Sequence, residues 1–243
     1  MIFRTFGSGS SGNSHTLTSS TGCTLVLDAG VKEKAIFAVC KPSSIAAVLI
    51  THKHGDHALY GEKYAKNFID VYAPMDKAWC KTIKHGDTYT LGEFKVKVLQ
   101  MRHDVTCVGF LIRHKEMYGD ILYATDTDGI PYKFGSISMA VIEADYFKPM
   151  LARNVRKGVV QPSVAERIEC THQSLSQAIQ FLSNNIKKVY STVLVHLSSD
   201  NANEELFIDR TEKHTNTPVY VAKKGFVLEF NRYSMFDVGN NIY

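Results

Sequence analysis

Five residues, His52-Lys53-His54-Gly55-Asp56, closed by His57, bring four potential metal ligands into six positions. They directly follow the apolar run Ala46-Ala47-Val48-Leu49-Ile50. An apolar run of that length, bounded by polar residues, reads as a buried strand. The cluster therefore stands where a strand ends and a loop begins, the usual place for a site carried on a rigid scaffold. Folding alone does not call for three imidazoles and a carboxylate at one point. Crowded together without a cation, they would be polar groups short of partners. A divalent metal resolves the conflict, because neutral imidazole and carboxylate are suitable ligands for it.

The spacing also assigns directions. His52 and His54 are two residues apart, so on an extended segment they point to the same side and can share one ion. Asp56 and His57 lie where the chain turns into the next helix and can reach a second. Other ligand-type residues stand just past predicted strands: His103 after Leu99-Gln100-Met101, Asp126 after 121–125, and His196 after 189–195. These strand ends predict ligands converging on one sheet edge. With Asp126 bridging, the expected set is His52, His54, His103 and Asp126 on one ion, and Asp56, His57, His196 and Asp126 on the other. Two divalent ions about 3.5–4 Å apart hold a bridging hydroxide at neutral pH. The pair also neutralises charge developing on a phosphoryl or carbonyl oxygen. Zn²⁺ and Mn²⁺ are the expected ions, and iron suits the same ligand types. His85 competes with His103, but His85-Gly86-Asp87 reads as a turn, which favours His103. His15, His114 and His214 read as ordinary structural or surface imidazoles.

The elements that must position these residues follow from hydrophobic pattern. Strands are expected at about 2–6, 15–19, 23–28, 46–50 and 70–73, with helices near 32–39 and 58–66. From 87 to 124 the chain is dominated by strands; Phe94-Lys95-Val96-Lys97-Val98-Leu99 alternates, as does part of 105–113. Ala140-Val141-Ile142 is a further short strand. Leu175, Ala178, Ile179 and Leu182 recur at helical spacing. A strand at 189–195, a helix from 203 to about 211, and strands at 218–221 and 226–230 complete the chain. Strands cluster in both halves, each cluster followed by helices. That predicts an α/β fold, a four-layer α/β/β/α sandwich. Residues 147–171 show no period and read as a long loop, more often functional than decorative. Its Lys148, Arg153, Arg156, Lys157 and Arg167 read equally as a nucleic-acid track and as a solvated surface.

With 243 residues, one large domain spanning 1–243 is expected. A hydrophobic fraction of 44% and a net charge of +4 describe an ordinary globular protein, mildly basic and compatible with a polyanionic partner. The five cysteines are scattered and lack C-x-x-C spacing, so they read as reduced thiols in a cytoplasmic protein. No apolar run reaches the roughly 18 residues of a membrane span, and no membrane partner is expected.

The cluster resembles the H-x-H-x-D-H signature of the metallo-β-lactamase superfamily. Gly7-Ser8-Gly9-Ser10-Ser11-Gly12-Asn13-Ser14 is similar to the amino-terminal loop of its YycJ (WalJ)-like branch. Thr125-Asp126-Thr127, Glu143-Ala144-Asp145 and His196-Leu197-Ser198 sit where that branch has similar segments. The resemblance implies the same sandwich, with metals at one edge of the sheets. It also implies a binuclear metal-dependent phosphodiesterase, a DNA nuclease with 5′-to-3′ exonuclease character. His172 corresponds in place to a histidine that helps protonate the leaving oxygen, so it is a catalytic candidate beside Asp56, which can accept a hydrogen bond from the bridging hydroxide. The 7–14 loop can offer hydroxyls and backbone N–H groups to a phosphate, with Ser11 and Asn13 the expected substrate contacts. The chain departs from the branch at Asp128, at Asp145, and in Thr171-His172-Gln173-Ser174-Leu175. Those departures bear on substrate and leave the ligands untouched. Nucleic acid, DNA ahead of RNA, is the expected partner. The alternatives are an RNA-processing nuclease, or a small-molecule hydrolase of a thioester, lactone or cyclic nucleotide on the same metals.

Overall fold

The structure is a computed structural model and describes residues 1–185 and 189–230. β1 (Ile2–Gly7), β2 (Ser14–Thr18) and β3 (Thr24–Leu27) pair antiparallel in chain order. β4 (Ile45–Leu49), β5 (Val71–Ala73) and the short β6 (Lys81–Thr82) then add in parallel. Parallel neighbours need crossovers. These are α1 (Glu33–Phe37) before β4, and α2 (Gly55–Ala58) with α3 (Gly61–Lys66) after it.

The second sheet begins as a meander of β7 (Thr88–Leu91), β8 (Phe94–Met101), β9 (Cys107–Arg113) and β10 (Asp120–Ala124). β11 (Ile137–Glu143), β12 (Thr192–Val195) and β13 (Val219–Val221) extend it in parallel. Between β11 and β13 lie α4 (Lys148–Arg156), α5 (Pro162–Thr171), α6 (Leu175–Asn184) and α7 (Glu204–Thr215). The last strand, β14 (Val227–Glu229), returns to pair with β1. The strand orders are β14-β1-β2-β3-β4-β5-β6 and β13-β12-β11-β10-β9-β8-β7.

Alternation of side chains explains the layers. Leu25, Leu27, Ala47 and Leu49 meet Val96, Val98, Phe110 and Ile112 in a core between the sheets. The intervening Val26, Val48 and Ile50 face outward onto Ile36 and Tyr64 of the helices. On the second sheet, Leu122, Ala140, Ile142 and Leu194 pack outward against Leu175, Leu182 and Phe207. This is the expected α/β/β/α sandwich. The ends of β4, β8, β10, β11 and β12 then deliver the loops that carry the ligand-type residues, as parallel strands do at their carboxyl ends.

The segment 147–171 differs from its sequence reading: it is not a loop but two helices. Each begins with proline in its first turn, at Pro149 and Pro162, where a missing N–H costs nothing. They close a small core of Tyr146, Leu151 and Val160 with Val155, Ala165 and Ile168. So few apolar residues, interrupted by an intervening turn, leave too weak a period to read. The strand expected at 189–195 is shorter, with only an isolated bridge from Val189 to Ile137 before β12.

His15 in β2 is fully buried, stacks on Phe3 at 5.3 Å between ring centroids, and shares a 3.0 Å hydrogen bond through Nδ1 with Thr5 Oγ1. Burial first, then the neighbouring His57 and His196, pull its pKa down to about 3. The unfolded chain takes that proton more readily. The stability from neutral His15 is therefore full above its ordinary pKa of about 6.5 and is lost as pH falls toward 3. Urea unfolding of metal-free protein between pH 7 and 4 should show His15→Phe flattening the acid limb by up to about 1.4 kcal/mol per pH unit. An unchanged slope would mean that His15 is not buried neutral.

Candidate metal centre

The structure brings His52, His54, Asp56, His57, His103, Asp126 and His196 to one edge of the sandwich, in two sets. His52, His54 and His103 form the first, and Asp56, His57, Asp126 and His196 the second. In the first, His52 Nε2 is 3.1 Å from His54 Nδ1, which is 3.4 Å from His103 Nε2. In the second, His57 Nε2 lies 3.3 Å and His196 Nε2 3.8 Å from Asp126 Oδ1, and His57 Nε2 lies 3.5 Å from Asp56 Oδ2. The other oxygen of Asp126, Oδ2, is 3.9 Å from His52 Nε2. Asp126 thus turns one oxygen to each set.

Rear hydrogen bonds aim the imidazoles. His57 Nδ1 donates to Asp28 Oδ2 at 2.8 Å, and His103 Nδ1 to the Thr171 carbonyl at 3.0 Å. His52 Nδ1 is 3.0 Å from Thr51 Oγ1, which itself donates to Asp28 Oδ1 at 2.9 Å. Fixing the far nitrogen in this way sets the tautomer and turns the near lone pair toward a metal. Asp28, fully buried, also accepts Thr51 N–H at 2.8 Å and the Tyr123 hydroxyl at 2.7 Å. It is the hub of the site, and the sequence reading passed over it. The signal was available: it follows β3 as Asp126 follows β10.

Backbone contacts tie the loops together. Asn13 N–H donates to Asp56 O at 2.7 Å, Ala29 N–H to His57 O at 2.7 Å, and Gly30 N–H to Asn13 O at 2.9 Å. A Cβ at Gly30 would stand 1.7 Å from Asp56 O, so only glycine fits there.

The second anchor is Glu143, fully buried at the end of β11. It accepts from His172 Nδ1 at 2.6 Å and Thr127 N–H at 2.9 Å, and lies 3.3 Å from His196 Nδ1. His172 stacks on His196 with centroids 5.3 Å apart and planes 9° apart. Of the expected substrate contacts, Ser11 is exposed on a cleft wall. Asn13 is buried instead: its amide exchanges hydrogen bonds with Gly9, and its Nδ2 lies 2.8 Å from His57 Nε2. It holds the loop onto the cluster. His85 lies elsewhere, with Nδ1 accepting the Gln100 N–H at 3.1 Å.

Charge is unbalanced in this cluster. Burial disfavours a charged His57, but the Asp126 and Asp28 carboxylates outweigh it and raise its pKa to about 10. His196 is likewise driven well above the ordinary imidazole range against its burial, chiefly by Asp126. Yet both ring nitrogens of His196 lack a hydrogen-bond partner despite facing Asp126, Glu143 and Asp145. In the first set, imidazole nitrogens point at one another. Two nitrogens on one tetrahedral ion, each roughly 2.0–2.1 Å away, stand about 3.3–3.4 Å apart, close to the spacing seen here. Orphaned nitrogens, converging lone pairs and surplus carboxylates all fit divalent cations.

A sandwich of this topology with an imidazole–carboxylate cluster on its edge defines a metal-dependent hydrolase. No family model matches the chain. It is 30% identical over 234 residues to the exodeoxyribonuclease WalJ of Streptococcus pneumoniae serotype 2 (strain D39 / NCTC 7466), covering 82% of both chains. Among solved structures it is similar to the metallo-β-lactamase fold protein YhfI from Bacillus subtilis, with a TM-score of 0.70 and 17% identity over 94% of this chain and 99% of that one. It is also similar to Zn²⁺-bound PqqB from Methylobacterium extorquens, with a TM-score of 0.74 and 13% identity over 95% of this chain and 100% of that one. The chain belongs to the metallo-β-lactamase superfamily.

Removing metal with a chelator should lower the melting temperature, and returning Zn²⁺ or Mn²⁺ should restore it, since a ligand of the native state alone stabilises it. Asp126→Asn should lose bound metal by elemental analysis and abolish that response. Undiminished metal content in the variant would refute Asp126 as a shared donor.

Proposed function

We propose that this protein is a two-metal phosphodiesterase acting on DNA, with 5′-to-3′ exonuclease character. The observation that carries the reading is Asp126, whose two carboxylate oxygens face two separate donor sets. On this reading His52, His54, His103 and Asp126 hold one ion, and Asp56, His57, His196 and Asp126 the other. Zn²⁺ and Mn²⁺ both suit these ligands. When bound, such ions supply Lewis acidity and lower the pKa of an attacking water. The sequence likeness to an exodeoxyribonuclease supports DNA as the substrate.

The chain's own groups complete the chemistry. A cavity of about 360 Å³ opens over the cluster, bordered by Ser10, Asp56, Arg167 and His172 among others. Burial opposes a charged His172, but the Glu143 carboxylate and its hydrogen bond prevail and raise the pKa to about 9. His172 thus carries a proton at neutral pH and can hand it to the departing alkoxide, which leaves poorly without one. Burial would raise the Asp56 carboxyl, but His196 and His57 hold it below its ordinary value, so it stays ionised and can orient the attacking water. Arg167, in the middle of α5, brings a guanidinium to the rim that has no carboxylate partner among the described residues. It suits a phosphate oxygen. Of the five basic residues in 148–167, only Arg167 borders this cavity.

Purified protein with Mn²⁺ or Zn²⁺ should degrade 3′-labelled linear DNA from its 5′ end, and His54→Ala should abolish this. His172→Ala should keep its metal and KM but lose about 10²–10⁴ in kcat. Cleavage confined to RNA, or turnover only of thioesters, lactones or cyclic nucleotides, would replace the reading. A fully active His54→Ala would remove it.

A further inference from the structure

A second cavity lies on the far side of the 7–14 loop from the metal cluster. It holds about 470 Å³, and its wall includes Ser8, Ser11, Lys32, Tyr60, Lys223 and Lys224. No carboxylate borders it among the described residues. Lys223 pairs with Glu204. Lys32 and Lys224 are exposed and have no carboxylate partner among the described residues. This is the opposite of the metal pocket, whose lining includes Asp56, Asp104 and Asp126.

The two are joined. A larger cleft of about 770 Å³ shares Ser10, Arg167, His172 and His196 with the metal pocket, and Ser8 and Ser11 with the lysine cavity. The saddle between them is the glycine–serine loop. Its Ser8 Oγ accepts the His196 N–H at 2.8 Å, and Asn13 pins its other end to His57. At Gly9 a Cβ would meet nothing within 4 Å, so the backbone there stands open. A polymer leaving the metal pocket along this cleft passes the loop's hydroxyls and bare backbone, with Asp145 and Asp200 also on the cleft wall, and reaches the unpaired ammonium groups of Lys32 and Lys224. Tyr60 adds an aromatic face in the same cavity, the kind of surface on which bases and sugars of a single strand rest.

We propose that this lysine cavity binds a phosphate of the substrate strand other than the one being cut, held between Lys32 and Lys224 with Tyr60 against the adjoining nucleoside. This rests on the nuclease reading and adds to it the direction of the strand: from the metals, over the 7–14 loop, to Lys32 and Lys224. A substrate too short to cross the loop gains nothing from it.

The test uses metal-loaded protein and a 3′-labelled, phosphorothioate-blocked single strand, with binding read by fluorescence anisotropy across 50–200 mM salt. Lys32→Ala/Lys224→Ala should weaken binding and lower the slope of log affinity against log salt by about 0.7 per lost contact. Turnover of bis(p-nitrophenyl) phosphate should be unchanged, which shows an intact fold and metal site. Tyr60→Ala should weaken binding without changing the slope. Loss confined to a 5′-phosphorylated strand identifies a terminal phosphate in the cavity, and equal loss with a 5′-hydroxyl strand an internal phosphodiester; either supports the proposal. A double variant with wild-type affinity and slope overturns it, as does an equal loss in Lys66→Ala/Lys213→Ala, where the charges sit elsewhere on the surface. If wild-type protein neither binds nor cuts the strand, the nuclease reading itself has failed. If it cuts while the lysine variant is indistinguishable, only this cavity has.

Discussion

Six imidazoles and six carboxylates converge on one edge of this sandwich, and their mutual arrangement leaves ring nitrogens without hydrogen-bond partners. His52, His54 and His103 aim nitrogens at one another, and His196 faces three acids without a proper bond to any. Buried polar groups left in that state are costly. The surrounding structure holds them there nonetheless. Asp28 grips His57, Thr51 and Tyr123 from beneath, and Glu143 grips His172 and Thr127 from the side. The two buried acids fix orientation, while Asp56 and Asp126 face the space between the rings. A cation binding there would neutralise the acids and pair the imidazole lone pairs at once.

That division of labour also separates charge across the molecule. Around the cluster the acids dominate, enough to draw protons onto His57 and His172. Across the 7–14 loop, the cavity of Lys32 and Lys224 holds no acid among the described residues. Acids and ammonium groups thus stand on opposite sides of one loop. The loop between is thin because Gly7, Gly12 and Gly30 let backbone pack on backbone: a Cβ at Gly7 would stand 2.3 Å from Gly12 O. The glycines therefore act through packing, and the serines through their hydroxyls.

Much of this was legible in the sequence because burial has a period. Strands such as β4, β8 and β10 show their apolar runs or alternation plainly, and their ends locate His52, His103 and Asp126. The ligand spacing is local along the chain and reads without a fold. What was hidden depends on contacts distant in sequence. α4 and α5 bury only a few side chains in a satellite core, so their helical period is faint. Asp28 becomes a hub only when Tyr123, 95 residues away, reaches it. Asn13 looked like a ligand-facing residue, but the close approach of the 52–57 turn buries it.

Backbone strain points the same way. Asp28, Asp126 and His196 all adopt left-handed φ, at 61°, 51° and 55°. For a residue with a Cβ that region costs roughly 1–2 kcal/mol, and glycine would relieve it. Each instead keeps a side chain at the first bend after a strand, where left-handed φ turns the chain sharply and throws that side chain back over the strand ends. Asp28 follows β3 in the first sheet; Asp126 and His196 follow β10 and β12 in the second. Two of these bends, at Asp126 and His196, place donors in the cluster, and the third sets Asp28 beneath it to hold His57, so the strain is the cost of convergence. A fold needing only to close its loops would meet glycine at these positions; one needing oxygen and nitrogen donors at a shared point must carry Asp and His there and over-determine them with neighbours.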